Sequence, residues 1–175
     1  GEKVCLVPYG LATDWADGVE KDPESPYDGP MRVGFVGTPI SYKGLSVLGE
    51  AVGLLTEGAA QLHVYGDHEG GADPVSAAEI AREVDETRRL AGDRVTFHGR
   101  FDHDDLGKVH AQLDVLVVRS LWQEAYGLTV REAHLSGTPV VGSRIAGIAE
   151  GIRDGVDGLL FQPGSAVQLS AALQR

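Results

Sequence analysis

The chain has 175 residues, 42% of them hydrophobic, enough for one ordinary domain with a real core. Its 15 basic and 26 acidic side chains leave a net charge of −11, which argues against general nucleic-acid binding but not against one phosphorylated metabolite held by a local lysine and a helix N-terminus. A single cysteine, Cys5, excludes an internal disulfide and fits a reducing compartment, and no apolar run nears the ~18 residues of a membrane span.

Residues 1–30 open with a short candidate strand, Val4–Val7, followed by Pro8-Tyr9-Gly10. Asp17–Pro30 is rich in Asp, Glu, Pro and Gly and reads as a linker. No signal peptide is expected, since these thirty residues carry several acids and four prolines. From residue 31 onward, short apolar runs alternate with helical patterns. The expected strands are Arg32–Gly37, Gln61–Gly66, Arg94–His98, Asp114–Val118, Pro139–Gly142 and Gly158–Phe161. The expected helices are Gly44–Thr56, Val75–Leu90, His103–Leu113, Gly127–Ser136, Gly147–Arg153 and one that starts at the N-cap Ser165. Val115-Leu116-Val117-Val118 is apolar at successive positions, so both of its faces are expected to be buried, as in a parallel sheet covered by helices. Six such units predict an α/β fold, a Rossmann-like doubly wound parallel sheet of about six strands, with ligands at the carboxyl ends of the strands. Gly37, Gly66, Gly99 and Gly142 stand at those ends, where the backbone must turn sharply or approach a ligand closely.

Residues 122–139 carry the densest signal. Glu124 and Glu132 are separated by seven residues, with Gly127 between them at the start of a helix. A helix start with unpaired N–H groups favours an anion, and glycine lets a phosphate come close. Glu132 lies ~7 Å along the axis from Gly127 at ~1.5 Å rise per residue, which suits a ribose joined to a diphosphate at the helix start. Glu124, before the helix, is placed to accept hydrogen bonds from a sugar. Taken singly, each acid also reads as a dipole complement, Lys43 as an exposed helix-start lysine, and Gly99-Arg100-Phe101 as a plain strand-end turn. The acidic Glu79–Glu86 face reads as solvated helix surface, and Trp122 as packed under the loop or stacked on a sugar. His63, His98 and His110 read as structural, and the scattered histidines offer no metal-ligand spacing. Neither a P-loop nor a G-x-G-x-x-G turn is present.

The stretch resembles the E-x7-E donor site of retaining glycosyltransferases with the GT-B fold, especially glycosyltransferase family 4. Phe35-Val36-Gly37 through Tyr42-Lys43-Gly44 is similar to that family's first strand and Lys-Gly helix start, and Leu62–Gly66 and Val95–Gly99 to its next strand ends. Gly147, Glu150, Gly155 and Gly158 match its closing pattern, and Val7-Pro8-Tyr9-Gly10 its exit from the N-terminal domain.

The resemblance implies that residues 31–175 are the donor-binding, C-terminal half of a GT-B enzyme, with 1–30 as interdomain segment and the acceptor-binding N-terminal domain outside this chain. It implies a hexose-type sugar moved from a nucleoside diphosphate donor, with retention and without a metal or other cofactor, the isolated domain being inactive. Lys43 is then expected on the diphosphate, Glu124 on the sugar as a positioning and charge-stabilising group, and Glu132 on the ribose. The backbone of Ala125, Tyr126, Gly127, Leu128 and Thr129 would wrap sugar and diphosphate. Gly99, Arg100 and Phe101 would lie against the base, and Gly37 and Thr38 would border the phosphates. Thr38 stands where many members have an arginine; a hydroxyl cannot replace a guanidinium fork, so Arg100, Arg119 and Arg144 become candidates for that charge. A nucleotide-sugar epimerase or hydrolase on the same fold, and a non-catalytic nucleotide-sugar-binding module, are the other readings. The expected setting is a bacterial cytoplasm, in keeping with 11 arginines against 4 lysines, any contact with the cytoplasmic membrane face falling to parts outside this chain.

Overall fold

The computed structural model describes residues 10–11, 13–16, 29–70, 73–122 and 125–175. Six strands form one parallel sheet: β1 (Met31–Val36), β2 (Ala60–Tyr65), β3 (Val95–Gly99), β4 (Val115–Val118), β5 (Val140–Ser143) and β6 (Gly158–Phe161). Their order is β3-β2-β1-β4-β5-β6. The chain thus builds outward from β1 in one direction, then returns to its other side, which is the doubly wound pattern expected. The central strands are buried on both faces, as their unbroken apolar runs require; Val115, Leu116 and Val117 are all core residues. Edge strand β3 instead alternates between half-buried and exposed positions.

Among the described residues six helices cover the two faces: α1 (Leu45–Gly53), α2 (Pro74–Ala91), α3 (Leu106–Ala111), α4 (Leu128–Leu135), α5 (Ala146–Ala149) and α6 (Ala166–Leu173). On one face Leu45, Leu48 and Val52 of α1 meet Leu169 and Leu173 of α6 over Val33, Phe35, Leu62 and Val64. On the other, Val109 of α3, Val130 and Ala133 of α4 and Ile148 of α5 close over Leu116 and Val140. Each core is a helix stripe at i, i+3/i+4 spacing laid on a sheet face. Asp73 caps α2, accepting from the amides of Val75 and Ser76 at 2.9 and 3.1 Å, with Pro74 at the first helical position. Ser165 caps α6 through Gln168 N–H, as its sequence position predicts.

Three elements differ from the sequence expectation. The helix expected over Gly147–Arg153 is only Ala146–Ala149, and the chain then reaches β6 through a turn in which Val156 N–H donates to Arg153 O and Gly155 N–H to Gly158 O. The stretch from His103 begins as a 3-10 turn before α3. Gly142 does not turn the backbone: it lies inside β5, and a Cβ there would collide with Ile148 and Ile152, so this glycine serves helix–sheet packing. Of the N-terminal segment, Trp15 is buried against α3, its ring 6.4 Å from His110 and 6.2 Å from His103. Val4–Val7, the Val7–Tyr9 motif and Asp17–Asp28 lie outside the described residues. No helix among the described residues is long and apolar enough to cross a membrane.

Candidate functional site

The crevice opens where the strand order reverses. β1 and β4 are neighbours, but α1 and α4 leave them for opposite faces, so the carboxyl ends of the two strands border a gap. β1 ends at Gly37, whose φ of +134° only glycine adopts readily and whose N–H donates to Tyr65 O at 2.8 Å. A Cβ on Gly37 would come within 3.0 Å of Lys43 Nζ, so the bare glycine leaves the space the ammonium occupies. Lys43 itself sits on a 3-10 turn, Ser41–Lys43, and Gly44 in the left-handed region then starts α1.

That turn is held from α2. Ser41 donates through both N–H and Oγ to Glu79, and the Ser46 amide at the start of α1 donates to Glu83 at 3.1 Å. The acidic face of α2 is therefore not merely solvated: two of its carboxylates fix the segment that carries Lys43 and complement the N-terminus of α1.

On the β4 side, Gly127 (φ 65°, ψ 52°) starts α4; being glycine it brings no side-chain cap, and no side-chain acceptor among the described residues bonds that helix end. Gly127 is buried, and a Cβ there would lie 2.7 Å from Gly147 O, so the loop is seated directly on α5. Arg131 clamps the same loop: its guanidinium lies 3.8 Å over the Tyr126 ring and donates to the carbonyls of Tyr126 and Gly127. Its place one turn into α4, with an aromatic five residues earlier, is the sequence signal for this role. Glu132, also one turn in, is half-buried, and burial raises its carboxyl above the usual range, opposed by His103.

A cavity of about 60 Å³ between the two sides is lined by Lys43, Arg119, Gly127 and Thr129, with Val36 and Ile148 behind them. The fold thus brings Lys43 and the start of α4 together, with Gly37 beneath the lysine and Thr38 half-buried beside it. Leu128 and Ala125 are exposed at the rim. The Gly99–Phe101 turn is at the end of β3, two strands and therefore ~10 Å from β1. There Arg100 is paired with Asp67, and Phe101 packs its ring edge-on to Tyr65 at 6.3 Å. Glu124 lies outside the described residues. Trp122 does not pack under the loop: it is 72% exposed. The stacked pair His63 and His98, 2.9 Å apart at their ring nitrogens, lies on β2 and β3 away from the cavity. No three His, Cys, Asp or Glu side chains among the described residues are grouped to hold a metal ion.

Residues 30–175 match the family described as glycosyl transferases group 1. The chain belongs to that family. Among its relatives is a D-inositol 3-phosphate glycosyltransferase of Mycolicibacterium vanbaalenii, 34% identical over 139 residues, covering 73% of this chain and 29% of that protein. A 2-deoxystreptamine glucosyltransferase of Streptomyces kanamyceticus is 30% identical over 181 residues, covering 98% of this chain and 44% of that protein. The structure of sucrose-phosphate synthase from Thermosynechococcus elongatus superposes with a TM-score of 0.73 at 32% identity, covering 96% of this chain and 40% of that one. The group 1 glycosyltransferase chain described here therefore spans less than half the length of these relatives, and its sheet is the Rossmann-like half of a GT-B fold.

Proposed function

We propose that residues 31–175 bind the nucleoside diphosphate sugar of a retaining glycosyltransferase of family 4, and that an N-terminal domain of the same parent chain binds the acceptor. The observation that carries this reading is the convergence of Lys43 and the start of α4, uncapped among the described residues, on one cavity at the strand-order switch, with Glu132 one turn further along α4. In this reading the ammonium and the helix amides bind the diphosphate. As the bond from the anomeric carbon to the phosphate oxygen breaks, the growing negative charge on that oxygen is stabilised by groups already in place. Glu132 accepts from the ribose hydroxyls, and Glu124 positions the sugar and stabilises charge near its anomeric carbon. The sugar is of hexose type, the acceptor hydroxyl attacks on the face that the diphosphate leaves, and no metal takes part.

A thermal-shift screen of UDP-, GDP-, ADP- and TDP-sugars tests this. A true donor raises the melting temperature by mass action, and Glu132→Ala loses most of that rise. A screen in which no nucleotide sugar shifts the wild type rejects the reading. The chain alone is expected to bind donor and transfer nothing, since the cleft needs both halves; robust transfer by residues 1–175 overturns that part.

A further inference from the structure

Arg119, at the end of β4, is 5% exposed, and its Nε, Nη1 and Nη2 are all buried without a hydrogen-bond partner among the described residues. A buried, unbonded guanidinium is strongly unfavourable, because neither water nor protein replaces its lost hydration. Burial pushes its pKa down to about 10, so the group stays charged at neutral pH. Its surroundings increase the cost. The guanidinium rests against Gly44, the N-cap of α1, where the helix presents its positive end. Lys43 lines the same cavity, and α4 starts at its wall. Among the described residues, the one carboxylate whose charge reaches Arg119 is Glu83, and that carboxylate is hydrogen-bonded to Ser46 instead.

The other arginines that could serve the site are engaged. Arg100 is paired with Asp67, and Arg144 with Asp154 at 2.8 Å. Arg119 alone of the three shares a cavity with Lys43. That cavity is small, about 60 Å³, and its lining sets Arg119 beside Lys43, Gly127 and Thr129. A guanidinium fork matches two phosphate oxygens where a lysine offers one point charge.

We infer that Arg119 binds the diphosphate directly, as the second cation of the site beside Lys43. The inference rests on the nucleotide-sugar reading above. It assigns the uncompensated charge a purpose: the fold holds the fork in place before the ligand arrives, and the anion supplies the missing partner.

Calorimetric titration of the whole chain with UDP, GDP, ADP, TDP and inorganic pyrophosphate, in wild type, Arg119→Met and Arg119→Lys, tests it. For whichever diphosphate binds the wild type, Arg119→Met is expected to weaken affinity about thirtyfold, the loss of one or two charge-assisted hydrogen bonds. The unliganded Met variant should melt at or above wild type, because a buried unpaired charge has been removed. Arg119→Lys keeps the charge but not the fork and should lose about five- to tenfold; it carries the test if the Met variant does not fold. Unchanged diphosphate affinity in either folded variant, with nucleotides still binding wild type, overturns the inference and leaves the donor reading standing. A wild type that binds pyrophosphate through Arg119 but no nucleoside diphosphate rejects the donor reading and keeps the anion site. Binding of neither rejects both.

Discussion

The two ends of the sheet use arginine and lysine in opposite ways. At the amino end, Arg32 donates through its backbone N–H, Nε and Nη2 to Asp114, whose side chain is 6% exposed, joining the starts of β1 and β4. Arg94 reaches across to the carbonyls of Gly53 and Leu55 at 3.0 and 3.1 Å and to Ala91, closing the C-terminal ends of α1 and α2. Cations at helix C-termini are where the dipole wants them. At the carboxyl end, Lys43 and Arg119 stand at helix N-termini, where the dipole opposes them, and neither makes a hydrogen bond or ion pair among the described residues. One end is electrostatically complete as folded; at the other two cations stand without a partner among the described residues, and in the proposal above an anion supplies it. That contrast separates residues that make the sheet from residues proposed to make the site.

The contrast can be broken first at Gly127, a position that serves both fold and site. Gly127→Ala forces a left-handed residue with a Cβ 2.7 Å from Gly147 O. It should cost about 2–4 kcal/mol, read by urea denaturation, and lower donor affinity with it. Next comes the closed end: Asp114→Ala leaves Arg32 without its carboxylate and should cost about 2–3 kcal/mol, a discount on a fully buried pair because Arg32 is half exposed. Its affinity for the donor should be unchanged once the protein is folded; a lost affinity would show the two ends to be coupled. At the open end, Lys43→Ala should leave the unliganded stability within about 0.5 kcal/mol of wild type and weaken diphosphate binding about ten- to a hundredfold. If it destabilised the unliganded chain instead, Lys43 would belong with Arg32 and Arg94.

The sheet behind this asymmetry is legible in the amino-acid sequence; the asymmetry itself is not. The doubly wound sheet follows from six apolar runs with helical patterns between them, and β4, with four successive branched or leucine residues, has no other way to be buried. The grouping of Lys43 with Gly127 is what the resemblance implies; Lys43 alone reads as an exposed helix-start lysine. Partnership at a distance is not legible. Glu79 and Glu83 look like solvated helix charges until α2 is laid beside Ser41 and Ser46, some 38 residues away in sequence. Arg100, Arg119 and Arg144 are equivalent as sequence positions; only the fold pairs two of them with Asp67 and Asp154 and buries the third. Arg131 has no charged partner among the described residues to betray it, since its contacts are with backbone carbonyls and a ring; its one sequence signal is the aromatic Tyr126 five residues earlier.

The smallest expected effect sharpens the contrast at Glu132, the acid beside the cationic end. Burial holds its carboxyl above the usual value of 4.5, so the folded chain binds that proton more tightly than the unfolded one. Below pH 4.5 both states are protonated and the residue leaves stability unchanged. As pH rises from there through the raised folded value, ionisation favours the unfolded chain, and stability is lost. Glu132→Gln removes this titration. The variant should therefore melt slightly above wild type at neutral pH, with the difference shrinking to nothing as pH is lowered through the carboxylate range. Donor affinity should move the other way, since an ionised carboxylate is the better acceptor for ribose hydroxyls and an amide the poorer. Opposite signs for unliganded stability and donor binding are what a residue kept for its ligand produces; a Glu132→Gln variant that lost both would place Glu132 among the residues that hold the fold.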